Sequence, residues 1–443
     1  MREFHKSTWV GALVLMSFPF GLQAQTHSAE TETLGAHYQL TYIWQAKPGF
    51  SAAYSGSNSL LAEREFSNTV TATGYFGWRP WAGAEVYFNP EVTQGQAFSN
   101  LTGVGGFTNG EVTRASSSSP QIYRQRLFLR QTWNQGGGQE VQASGLNQLA
   151  GIVDKNRVVL TAGNFSTLDV FDNNAYAKDP RRQFMNWGNM TYAAYDYAAD
   201  ARGFGWGAAL EWYQGDWAFR IGRMTGPTTP NDLPVDFDIL NHYGDQIEVE
   251  HAHTLGDQPG KVRVLAWRNR AVLARFRDAI NDGIANHRAP DIFKVRNSEQ
   301  FKYGLGVNVE QAVSPTVGVF LRAMQTDGGT ETYAFTEVDE SLAAGVSVQG
   351  AAWGRGQDTL GISLMQNGLS NDRRQYLQAG GISFFIGDGR LNYQPETILE
   401  LYYSLHITRD SFVTLDYQRI HNPAYNADRG PADFAGIRLH AEF

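Results

Sequence analysis

Residues 302–310 read KYGLGVNVE. Successive side chains of an extended chain point to opposite faces. Tyr303, Leu305, Val307 and Val309 therefore share one side, and Lys302, Gly304, Gly306, Asn308 and Glu310 the other. The same period runs outward in both directions. Residues 37–45 set Tyr38, Leu40, Tyr42 and Trp44 against His37, Gln39, Thr41 and Gln45. Ala84, Val86 and Phe88 oppose Glu85, Tyr87 and Asn89. At the chain end Ala435, Ile437, Leu439, Ala441 and Phe443 oppose Gly436, Arg438, His440 and Glu442. Similar runs lie near 66–78, 121–133, 157–163, 203–212, 217–224, 242–253, 260–270, 316–324, 342–353 and 357–366, between Glu396 and the turn at 408–410, and near 411–420.

The connections alternate. Arg79-Pro80, Gly215-Asp216 and Thr408-Arg409-Asp410 are tight, whereas 47–65 and the Gly- and Ser-rich 90–120 are long. A soluble β-sandwich shares the period of two, but not this alternation of short and long connections. The expected fold is all-β: a sixteen-stranded antiparallel transmembrane β-barrel with inward-folded extracellular loops. A naive count reaches seventeen by including 376–386. A single-chain barrel of this kind has an even number of strands. Because 408–410 is a short, periplasmic connection, the chain before Glu396 is extracellular. Residues 380–393, GGISFFIGDGRLNY, then belong to a folded loop.

The remaining composition agrees. Of 443 residues, 18% are charged and 13% aromatic, with 47 glycines, which suits a turn-rich β protein. A net charge of −8 argues against a nucleic-acid partner. The absence of cysteine excludes disulfides and thiol chemistry. Arg2 and Lys6, an apolar run over 9–20 and a cleavage position after Ala24 read as a signal peptide over 1–24, leaving 25–443 as the barrel. No other run of about 18 apolar residues occurs, so a membrane is crossed by a closed barrel or not at all.

No G-x-S-x-G, H-E-x-x-H or P-loop motif is present. His251 and His253 make two ligands where zinc needs three or four, and Asp388 lacks the spaced oxygens of a calcium loop. No enzyme activity, metal or cofactor is expected. The chemistry lies elsewhere. Residues 157–186, RVVLTAGNFSTLDVFDNNAYAKDPRRQFMN, open as a strand and become a long connection. It carries Asp169, Asp172, Asp179, Arg181 and Arg182 among Phe165, Phe171, Tyr176 and Phe184, with Trp187 just beyond. Long loops of this composition are usually functional. The expectation is a loop folded into the barrel to narrow its pore. Arg124, Arg126 and Arg130 share one strand face, a comb of cations. Glu85, Glu248, Glu400 and Asp416 on the wall, and Glu91, Asp169, Asp172 and Asp179 on the loops, are acids that could answer it. Two readings stay open: ion pairs that stiffen the wall, or a charged constriction whose forks and carboxylates bind hydroxyls. Trp187 would add a flat face for a sugar ring.

Several blocks carry a resemblance. They are Asn89-Pro90-Glu91, FSNLTGVGGFTNGE at 98–111, GNFSTLDVFDNNAYAKDPRRQFMN at 163–186, ETILELYYSL at 396–405 and LDYQRIHNP at 415–423. Together they resemble the carbohydrate-selective porin family, the OprB-like porins of Gram-negative bacteria. The likeness runs from about residue 35 to the end and is less distinct over 225–300 and 326–345. It implies an outer-membrane barrel that passes glucose and other sugars by facilitated diffusion. Its constriction of arginines and acids would correspond to Arg124, Arg126 and Arg130 with Glu85, Glu91 and the third loop. The implied partners are carbohydrate solutes, outer-membrane lipid and, through Phe443, the barrel-assembly machinery. Monomer and trimer stay open. The alternatives are a porin for general or other solutes, an outer-membrane barrel enzyme, and a periplasmic carbohydrate-binding β-protein.

Overall fold

The computed structural model describes residues 31–114, 117–335 and 337–443; the expected signal segment, 1–24, lies outside the described residues. In chain order the strands are β1 (Leu34–Lys47), β2 (Glu65–Trp78), β3 (Ala84–Gln96), β4 (Gln121–Asn134), β5 (Gln139–Gln142), β6 (Gly151–Asp154), β7 (Arg157–Phe165), β8 (Gly205–Gln214) and β9 (Trp217–Met224). There follow β10 (Tyr243–Leu255), β11 (Gln258–Val272), β12 (Glu299–Ser314), β13 (Val317–Thr326), β14 (Glu340–Gly350), β15 (Arg355–Gly368), β16 (Glu396–Thr408), β17 (Ser411–His421) and β18 (Ala432–Glu442). Sixteen of them close into one antiparallel barrel, in which β4 pairs with β7 and β18 returns to β1. Strands β5 and β6 form a separate hairpin in the polar connection before Arg157, a pair the alternation did not reveal.

The burial pattern is inside-out relative to a soluble protein. Tyr303 and Leu305 are 59% and 57% exposed, while Lys302 and Asn308 on the opposite face are buried. Gln39, Thr41, Thr69, Thr71 and Thr73 are likewise buried on the inner wall, and Leu40, Leu364 and Leu439 are exposed on the outer one. An outward apolar face with an inward polar one is what a barrel set in hydrocarbon requires. Residues 380–393 contain no strand, and a short helix, Asn371–Gln378, precedes them; the even strand count holds.

The strand β3 extends past Pro90 to Gln96, further than the loop expected over 90–120 allowed. Proline removes a ladder donor and is tolerated at bulges. Here Asn89 faces Arg126 and Pro90 faces Arg124, so Gln125 is an extra residue on β4.

Long connections at one end fold into the lumen and bring their own apolar core. Phe107, Trp187, Tyr197, Phe335 and Phe385 are all buried there. Ring centroids of Trp187 and Phe335 lie 4.9 Å apart, and those of Phe107 and Phe385 5.2 Å. The glycines of the KYGLGVNVE face acquire a reason. A Cβ on Gly306 would sit 2.9 Å from the Tyr192 ring, so the loop approaches the wall because that position is glycine.

Phe443 closes the seam. Its N–H donates to the Tyr38 carbonyl at 2.9 Å, and its carbonyl accepts from the Tyr38 N–H at 3.0 Å. Deleting Phe443 leaves an edge of β1 unpaired. Heat-modifiable barrel, followed by electrophoretic mobility, is expected to fall several-fold; wild-type levels would show that the terminal pair is dispensable.

Candidate functional site

The bulge at Gln125 rearranges the arginine comb. Beyond it Arg126, Phe128 and Arg130 point inward, but the extra residue returns Arg124 to the outer face. There Arg124 lies over Trp206 at 5.0 Å and reaches Asn164 at 3.4 Å. The expected three-tooth comb is thus corrected to two teeth. A period-2 reading assumes an unbroken strand, and one inserted residue reverses every face beyond it.

The two inward arginines have different partners. Arg126 binds Asp169 with two parallel bonds, Nε to Oδ2 and Nη2 to Oδ1, each 2.7 Å. Arg130 sits at the short-turn end of the barrel. It donates to the Asn147 carbonyl at 2.9 Å and lies 3.6 Å from Glu85, which Arg79 also holds at 2.7 Å. The expected meeting of the comb with Asp172 and Asp179 does not occur. Asp172 is fully buried against Arg322 of β13 at 3.1 Å and accepts from Thr191 at 2.8 Å. Asp179 caps its own turn, accepting the Arg181 N–H at 2.9 Å.

Glu91 and Arg181 are locked together rather than open to the lumen. Arg181 spans Glu91 at 2.8 Å, Glu111 at 2.7 Å and the Tyr75 hydroxyl at 3.0 Å. Glu91 is also met by Gln125 at 2.6 Å and by the Tyr123 and Thr73 hydroxyls. Burial pushes the Glu111 carboxyl up, but Arg114 and Arg181 outweigh it and hold the group at about 2. Trp187 is only 1% exposed and packs among loop aromatics, so it presents no face to a solute. Its apolar surface is satisfied inside the loop cluster, which a sequence pattern does not show.

The wall acids hold loop backbone. Glu248 accepts the Asp172 N–H at 2.8 Å, and Glu400 accepts the Asn186 N–H at 3.1 Å and the Asn189 amide at 2.7 Å. Glu396 gathers the N–H groups of Gly105, Gly106 and Ala424 at 2.8 to 3.0 Å. Three of the sequence blocks quoted above therefore touch one another here. Lys302, Arg322 and Arg438 are inner-wall cations that grip the third loop, 166–204. Alternation placed Lys302 and Arg438 on the polar face; their loop partners were not readable from it.

Among the groups left partly open near the loop are Arg126, Asp169, Lys178 and Arg114. Phe204 lies beneath the guanidinium carbons of Arg126 and Arg114, at 5.0 and 5.5 Å. Burial presses the Lys178 ammonium down to about 8, against the opposing pull of Asp172 and Asp169. Two concavities flank this level. One, about 690 Å³, lies between the loop and the short-turn half of the wall. A larger one, about 1720 Å³, is lined by outward residues such as Leu210, Ile221, Ile247, Leu305 and Leu342. It lies outside the wall and plays no part in a route through it.

Two consequences are measurable. Arg181→Met leaves Glu91 and Glu111 buried without their shared cation, a change that costs about 3–5 kcal/mol where a buried pair is broken. The variant is expected to unfold at lower temperature and to show noisier open-channel current; unchanged noise and melting would mean that the loop is held elsewhere. The second concerns Lys178. Its charge is present below about pH 8 and lost above it, whereas an ordinary lysine keeps its charge to about 10.4. Raising pH from 7 to 9 removes a positive charge from the pore, so reversal potentials in low salt should shift toward cation selectivity. Lys178→Met should start shifted and lose that step; an identical pH response in the variant would place the titration on another group.

Comparison with known proteins completes the picture. The family model described as "Carbohydrate-selective porin, OprB family" matches residues 76–443. Among solved structures, the high-pH structure of Pseudomonas putida OprB superposes with a TM-score of 0.70 at 14% identity, covering 93% of this chain and 94% of that one. The low-pH structure of the same protein gives a TM-score of 0.48 at 12% identity, covering 92% and 93%. A comparison with curated protein sequences finds no match. At such identity the superposition speaks for the fold, and the family match speaks for membership. A closed sixteen-strand barrel with a loop-filled lumen, matched over most of its length by that family model, is a carbohydrate-selective porin: the chain belongs to the OprB family.

Proposed function

We propose that this porin passes glucose-like sugars by facilitated diffusion through a constriction formed by Arg126, Asp169 and Lys178. The observation that carries the reading is the paired fork of Arg126 and Asp169, partly open beside the aromatic face of Phe204. A guanidinium has five fixed donors. Two of these are bound to Asp169 and a third to the Gln125 amide oxygen, and the two remaining can serve a sugar hydroxyl. The carboxylate holds the fork in place and offers acceptor sites of its own. Binding of this sort is weak enough to release the solute, as conduction demands. Glu85, Glu91, Asp172, Asp179, Arg181 and Trp187 support the site by holding wall and loop in position, and Arg130 ties the wall to the hairpin connection. In this reading the channel performs no covalent chemistry. Export by the signal segment 1–24 and docking of the assembly machinery on Phe443 belong to the same proposal, supported by the sequence of that segment and by the exposed terminal ring.

Liposome swelling over a panel of sugars and uncharged non-sugars of matched size tests the solute class. Arg126→Ala is expected to slow glucose-driven swelling several-fold at low sugar concentration and to move ion selectivity toward cations, since Asp169 then stands unpaired. Equal swelling for sugars and size-matched non-sugars would favour a general porin. Unchanged swelling and selectivity in Arg126→Ala would place the filter elsewhere.

A further inference from the structure

The segment 175–183 of the third loop crosses the lumen, and its side toward the short turns faces the concavity of about 690 Å³. That volume falls within the range of small-molecule sites, roughly 300–1,000 Å³. Loop and wall line it from opposite sides. Tyr176 enters from the loop and rests on β13, where a Cβ on Gly318 would fall 2.0 Å from its ring; the ring occupies the place of a wall side chain. Arg182 lies over Phe412 of β17 at 4.8 Å, is anchored to Glu442 at 3.5 Å and remains 46% exposed. Asp179 supplies a carboxylate from the same turn, and Gln349 of β14 an amide from the wall. Gln183 shapes the turn by accepting the N–H groups of Lys178 and Asp179 at 2.7 and 3.0 Å and donating to the Ala175 carbonyl at 2.7 Å.

We infer that this cavity is a second sugar subsite on the periplasmic side of the loop, taking a monosaccharide after the Arg126–Asp169 level. A pyranose presents an apolar face and a rim of hydroxyls that both donate and accept. The cavity offers the aromatic ring of Tyr176 for the face, Arg182 as donor, Asp179 as acceptor and the Gln349 amide as both. Its polarity is mixed and its charges come in both signs, which suits a neutral hydroxylated solute better than an ion. Two successive weak sites favour entry and release together, whereas a single strong site would trap the solute. The proposal rests on the sugar-channel reading above.

The test uses the whole protein in planar bilayers of known orientation, with glucose added to one side at a time and its block read from current noise. Arg182→Gln removes a charged donor and is expected to weaken apparent affinity about tenfold for glucose added on the periplasmic side. Gln349→Ala, on the wall and away from the loop, should weaken it about threefold and serves if the first variant assembles poorly. Association from the external side should stay within twofold of wild type in both. Periplasmic-side affinity unchanged in an assembled variant, or equal weakening from both sides, overturns the subsite while leaving the sugar channel intact. Wild type without saturable glucose block from either side overturns both.

Discussion

Arg181 reaches from the third loop to two carboxylates, Glu91 of β3 and Glu111 of the second loop, with little solvent near any of the three. An ion pair buried in this way adds modestly to net stability, because desolvation offsets most of its Coulomb energy, yet breaking it is expensive. Its use is positional. A loop of nearly forty residues crossing a lumen has many alternative paths, and a cation that must meet two buried acids leaves few of them. Asp172 with Arg322, Asp196 with Lys302, and the loop carbonyls of Pro180 and Gln183 with Arg438 repeat the device on other sectors of the wall.

This arrangement divides the lumen. One part is dry, built from loop aromatics against a glycine-bearing wall, and behaves as a protein core placed inside a barrel. The other stays partly open and keeps groups such as Arg126, Asp169, Lys178 and Arg182 within reach of solvent. The barrel thus has two apolar surfaces with separate duties. The outer one meets lipid, consistent with the Gram-negative outer membrane implied by family and fold. The inner one fixes the loop that narrows the route. Charged side chains between them either hold the loop or stay partly open, and the structure sorts them by burial.

The sorting explains where sequence reasoning succeeded. Asp169 beside Arg126 joined a strand cation to a loop acid, and Glu85 with Arg130 joined two neighbouring wall strands at the short-turn end. It explains the misses equally well. Arg124 was assigned inward because nothing in QIYRQRLFLR marks Gln125 as a bulge; the bulge exists through pairing with Asn89 and Pro90 on β3. Trp187 looked like a sugar platform because an aromatic in a polar loop has no partner in one dimension. Lys178 escaped notice for the opposite reason: an isolated lysine is ordinary until burial beside Asp169 and Asp172 shifts its proton.

The sequence by itself determined the barrel: a period of two, an even strand count from the sidedness of the turns, and a polar face rich in glycine. These are local consequences of where side chains point on an extended chain and of the rule that backbone in hydrocarbon must pair with itself. Only the tertiary structure decided which charges are buried and which stay partly open. That choice depends on contacts between residues far apart in the chain, such as Arg181 with Glu91 and Glu396 with Gly105, and on a single bulge that reverses a strand face. Burial of a charge is settled by what covers it, and what covers it here is a loop whose path is set by the wall across the lumen.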